Sequence, residues 1–100
     1  MTVYLIAKLK ITDREEYGLY EAGFMEIFDQ YKGSLLSVDE EPEIIEGSWD
    51  GTRSVLTSFP SAQDAKDWYE SEAYQDLVKH RFAASTGDII QVRGLDEMMG

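Results

Sequence analysis

Cysteine is absent from this chain of 100 residues. Its absence excludes disulfides, thiolate nucleophiles and cysteine-built zinc sites, and leaves stability to packing. Histidine occurs once, at His80, and a lone histidine makes no metal site unless carboxylates join it. Basic residues are scarce, nine Lys and Arg against twenty Asp and Glu, for a formal net charge of −11. A surface of that sign repels phosphate backbones and anionic bilayers, so neither nucleic acid nor membrane is an expected partner. Long apolar runs are missing as well. The apolar run Val3 to Ala7 is too short for a signal peptide or a membrane span, and the expected location is the cytoplasm.

What is present suits an ordinary folded protein: 43% of residues are apolar and 29% charged. Residues 1–100 are read as one domain with one core. Val3, Leu5, Ala7, Leu9 and Ile11 alternate with Tyr4, Ile6, Lys8 and Lys10, the period-two pattern of a strand. Thr12 and Glu15 have capping-box spacing, so a helix is expected to start there. Its stripe is Tyr17, Tyr20, Phe24, Ile27, Phe28 and Tyr31, and Lys32-Gly33 ends it through a left-handed glycine. Gly18 and Gly23 within it mark either close packing or local weakness. A second strand is expected over Ser34 to Glu40, an acidic turn over Asp39 to Glu43, a short edge strand over Ile44 to Trp49, and a turn at Asp50-Gly51. Arg53 to Phe59 then reads as a strand stopped by Pro60. Ser61 and Asp64 cap the next helix, which is expected to be kinked or in two pieces around Ser71-Glu72-Ala73. It is predicted to end near Thr86-Gly87. Asp88 to Arg93 is the last strand, and the tail from Gly94 is expected to fray.

The order strand, helix, strand, strand, helix, strand predicts an α+β ferredoxin-like βαββαβ fold. It has a four-stranded antiparallel sheet and two helices on one face. Tyr4, Ile6, Leu35, Leu56 and Ile89 are assigned to the other face. Leaving each such side chain in water forgoes about 1.5 to 3 kcal/mol. Packing two such sheets face to face would cover them, giving a homodimeric α/β barrel.

Several residues carry a family resemblance. Glu46-Gly47-Ser48-Trp49, Arg53, Phe59-Pro60-Ser61, Ala65, Trp68-Tyr69, Ser71, Tyr74 and Arg81 resemble the family catalogued as domain of unknown function 1330. Tyr4-Leu-Ile-Ala, Thr12-Asp13, Tyr17 and Tyr20 fit it too. Two departures are Glu72, where members often carry proline, and Lys32, where a glycine commonly precedes Gly33. The resemblance implies the dimeric α/β-barrel fold, shared with the stress-response barrel proteins, the antibiotic-biosynthesis monooxygenases and the muconolactone isomerases. It implies no particular reaction.

His80 or a tyrosine is the candidate proton carrier of an enzyme, and His80 alone has an unperturbed pKa suited to transfer near neutral pH. Arg53 and Arg81 are candidates to hold a carboxylate or phosphate in a bidentate pair. Trp49, Trp68, Tyr69 and Tyr74 offer flat apolar area with polar tips for a planar ligand. All but Trp49 also have a structural reading: His80 on the surface, the arginines in ion pairs, Trp68 and Tyr74 in the core, and Tyr69 capping the surface. No metal site and no cofactor are expected. The favoured reading is a non-catalytic or small-molecule-binding module. The alternative is a cofactor-independent isomerase or monooxygenase-like enzyme acting on a small aromatic or carboxylated metabolite.

Overall fold

In the computed structural model, which describes residues 1–96, the alternating segments form four strands and the striped segments three helices. The order is β1 (Val3–Ile11), α1 (Arg14–Phe28), β2 (Ser34–Asp39), β3 (Arg53–Phe59), α2 (Ala62–Tyr69), α3 (Glu72–Ala84) and β4 (Ser85–Arg93). The strands pair antiparallel in the order β2-β3-β1-β4. This is the expected ferredoxin-like arrangement. Val3, Ala7 and Leu9 of β1 are buried with Tyr17, Tyr20, Phe28, Trp68, Tyr74 and Val78 of the helices, so the core lies between the sheet and one helical layer. No described helix is long and apolar enough to cross a membrane.

The caps explain most of the boundaries. Asp13, not Thr12, caps α1, its carboxylate accepting from the Glu16 N–H at 3.1 Å. Thr12 is drawn elsewhere: its hydroxyl and its N–H both donate to the Ala84 carbonyl, at 3.1 and 2.8 Å. That carbonyl is one of the unpaired acceptors at the end of α3. Ser61 caps α2 as expected. The second helix is in two pieces, because Ser71 both donates to the Trp68 carbonyl at 2.8 Å and accepts from the Tyr74 N–H at 3.2 Å. One serine thus closes α2 and opens α3.

Four expectations about where elements begin and end need correcting. Helix α1 ends at Phe28, not at Gly33, and Gly47 at φ 82° is the glycine with positive φ among the described residues. A Cβ on Gly33 would lie 2.5 Å from Phe28 Cζ and 2.6 Å from Phe59 Cε1. Two rings fill that space, and they account for the glycine. The segment from Ile44 to Trp49 is a loop, not a strand: the left-handed turn at Gly47 interrupts it, and Thr52 takes the place beside β1, donating its N–H to the Leu9 carbonyl at 2.7 Å. Strand β4 begins at Ser85, so Thr86 and Gly87 pair with Lys10 and Leu9 instead of ending a helix. A side chain at Gly87 would collide with the Lys8 carbonyl, so close strand pairing requires glycine there. Finally, residues 94–96 are tied down: Gly94 N–H donates to the Thr2 carbonyl at 2.8 Å, and Thr2 N–H donates to Asp96 at 3.0 Å. The rest of the tail lies outside the described residues.

Register also reassigns the faces. Ile89 is opposite Ala7, and Leu35 is opposite Thr57, so both lie on the helix side of the sheet. A bulge between Leu35 and Ser37 then returns Val38 to that side, opposite Val55. The open face instead carries a row Leu56–Ile6–Ile90 across three strands, with Tyr4 beside Val92. Ile6 and Ile90 are 37% and 55% exposed. At Gly23 a Cβ would lie 2.8 Å from Leu77 Cδ1, so this glycine marks close packing of α1 on α3.

Candidate ligand cavity

Between the helical layer and the sheet lies a cavity of about 240 Å³. Every element contributes a wall: Leu5, Ala7 and Leu9 from β1, Tyr17, Tyr20, Glu21, Phe24 and Met25 from α1, Leu35 and Val38 from β2. Arg53, Val55 and Thr57 of β3, Trp68 and Tyr69 of α2, Arg81 of α3 and Ile89 of β4 complete it. Glu21, Met25, Leu35 and Val38 are exposed and mark an opening between α1 and β2.

A cluster of rings backs the helical wall. Trp68 packs at 4.3 Å from Tyr74 and 5.6 Å from Phe59, centroid to centroid. The hydroxyls of Tyr20 and Tyr74 share a hydrogen bond of 2.7 Å. Burial pushes both phenols above their ordinary pKa, and both are neutral at physiological pH.

The two arginines in the wall have different surroundings. Arg53 Nη1 is 3.2 Å from Glu21 and 3.1 Å from Glu40, and its guanidinium lies 5.3 Å from the centre of the Tyr17 ring. Glu40 also receives Arg14 at 2.7 Å, and the bonds from Arg14 and then Arg53 hold its carboxyl below the usual range. Arg81 is 6% exposed and has no carboxylate partner among the described residues. Its guanidinium stands over the rings of Tyr20 and Phe82, at 5.7 and 5.1 Å. Four buried side-chain polar atoms among the described residues lack a hydrogen-bond partner: Arg53 Nε, Thr57 Oγ1, Trp68 Nε1 and Arg81 Nε. All four belong to residues of this one cavity.

Of the residues singled out in the sequence, Arg53, Trp68, Tyr69 and Arg81 are brought together here. Tyr74 lies behind the wall, bonded to Tyr20. Trp49 is on the opposite side of the sheet, with the Lys8 ammonium 5.4 Å from its ring. His80 is also outside the lining: its Nδ1 lies 2.5 Å from Glu16, linking α3 to α1. Among the described residues no cluster of three histidine or acidic side chains could hold a metal ion. Sequence reasoning missed Thr57 and Glu21. Thr57 left a signal, a polar residue at an inward position between Val55 and Phe59.

A family model described as a domain of unknown function, DUF1330, matches residues 2–95. The chain belongs to the DUF1330 family. No curated protein matches it. Among solved structures, this DUF1330 chain is similar to a Rhodopseudomonas palustris protein of unknown function. The identity is 17%, the TM-score 0.79, and the match covers 93% of this chain and 82% of that one. It is also similar to a dimeric ferredoxin-like protein of unknown function from Jannaschia sp. CCS1, at 10% identity and TM-score 0.73, over 94% and 100% of the two chains. SnoaB, a cofactor-independent oxygenase from Streptomyces nogalater, follows at 11% identity and TM-score 0.69, over 93% and 92%. At these identities the likeness concerns the fold of this DUF1330 chain.

Proposed function

We propose that the chain is a cytoplasmic homodimeric module that binds a small, largely apolar molecule in the cavity between its helices and its sheet. One observation carries the reading: every buried side-chain polar atom without a partner among the described residues belongs to a residue of that cavity. A buried polar group left unpaired costs about 1 to 3 kcal/mol, so four of them around one space favour an occupant that pairs with them. The aromatic and aliphatic walls suit a flat molecule.

The enzyme reading has weaker support. A cofactor-independent oxygenase or isomerase needs a group to take a proton from its substrate. The one carboxylate of the lining, Glu21, is engaged by Arg53, and His80 lies outside. The similarity to SnoaB supports that reading only through the fold.

The test is a thermal-shift screen of small aromatic compounds against the wild type and Ala7→Phe. Ala7 lies in the sheet floor of the cavity, and a phenyl group there fills the space. Expected are stabilising hits on the wild type that disappear in the folded variant. Hits that persist in Ala7→Phe would put binding elsewhere, and an absence of hits would sink the reading.

A further inference from the structure

We infer that the occupant is an aromatic monocarboxylate whose anionic group lies against Arg81, not against Arg53. The inference rests on the cavity reading above and adds the charge and the orientation of the ligand.

The two arginines differ in how their charge is balanced. Arg53 already has two carboxylates within 3.2 Å, so its charge is balanced without a ligand. Arg81 is the buried cation left over. A guanidinium keeps its charge at any physiological pH, and a buried charge without a counter-ion is strongly disfavoured. Its neighbours supply dipoles but no counter-charge. The phenols of Tyr20 and Tyr74 are neutral at physiological pH even before burial pushes their pKa values further up. Tyr74 offers Arg81 a hydrogen bond, and the faces of Tyr20 and Phe82 a quadrupole. Carboxylates are not in short supply, since acidic residues outnumber basic ones twenty to nine. Yet none is placed within ion-pair distance of Arg81 among the described residues.

Hydrogen bonding shows what the cavity lacks, and Arg53 Nε shares the deficit, so the choice between the arginines rests on charge. Trp68 and Thr57 are 5% and 4% exposed, and Trp68 Nε1, Thr57 Oγ1 and Arg81 Nε all lack partners. Tryptophan and arginine can only donate, and a threonine hydroxyl can do so too. The deficit is therefore one of acceptors, and a carboxylate supplies acceptors together with the missing negative charge. The remaining wall, including Leu5, Ala7, Phe24 and Val55, is apolar and receives a ring system.

The probes are 2-naphthoate and its neutral isostere 2-naphthamide, titrated calorimetrically at neutral pH. The wild type is expected to bind the acid about tenfold more tightly than the amide, the size of one charge-assisted hydrogen bond. Arg81→Met should lose the preference for the acid. Arg81→Lys, a cation without the planar fork, should keep part of it. In the wild type the Nε–H resonance of Arg81 should shift with naphthoate and stay in place with naphthamide. Equal affinities for acid and amide would overturn the inference while leaving the cavity reading intact. A preference surviving in Arg81→Met, or a static Nε–H resonance, would remove Arg81 from it. Binding of neither probe would sink both readings. If Arg81→Met does not fold by circular dichroism, the lysine variant and the resonance decide.

Discussion

Tyr20 and Tyr74 illustrate how polar groups are handled in this core. They are 7% and 1% exposed, and each hydroxyl satisfies the other across the α1–α3 interface at 2.7 Å. Removing one leaves its partner buried and unpaired, so Tyr20→Phe and Tyr74→Phe are each expected to destabilise by about 1 to 2 kcal/mol. The double variant removes both ends of the bond. It should cost less than the sum, with a coupling of about 1 kcal/mol, read from urea unfolding of all four proteins. Additive losses would show that the bond contributes nothing of its own. Residue chemistry of this kind was only partly legible in the sequence. Arg53, Trp68, Tyr69 and Arg81 could be singled out by type, and the fold brings them to one cavity. That Arg53 is neutralised and Arg81 is not depends on Glu21 and Glu40, which reach Arg53 from two other parts of the chain. Local spacing holds no trace of such a meeting.

The elements were legible where their signals are local. Ser61 announces a helix start through a side chain that bonds backbone three residues away, and alternation marks the strands. Errors arose where a distant segment intervened. Thr12 was taken by the Ala84 carbonyl, and Gly33 and Gly87 owe their identity to rings and backbone from other elements. The sidedness of Leu35 and Ile89 follows from pairing across strands, and one bulge or one shifted strand start inverts such an assignment. Two glycines of similar appearance should therefore behave oppositely. Nothing lies within 4 Å of a Cβ built on Gly18, so Gly18→Ala should stabilise α1 by about 0.5 to 1 kcal/mol. Gly33→Ala meets the rings of Phe28 and Phe59 and should destabilise by about 1 to 3 kcal/mol. Thermal unfolding of the two variants checks both signs.

At the scale of the molecule, the row Leu56–Ile6–Ile90 sits on a sheet face that no helix covers. A second copy of the same face would cover it, and solved ferredoxin-like neighbours are described as dimeric. Ile6→Glu places a charge in the centre of that row, so light scattering should give a dimeric mass for the wild type and a monomeric one for the variant. A monomeric wild type at micromolar concentration would sink the dimer proposal. The cavity on the opposite face has a different consequence. Because each of the seven elements supplies part of its wall, a guest there acts as a keystone: no strand or helix can leave without breaking its seat. Occupancy is then felt as resistance to global unfolding, and each tenfold excess of guest over its dissociation constant adds about 1.4 kcal/mol to the whole molecule.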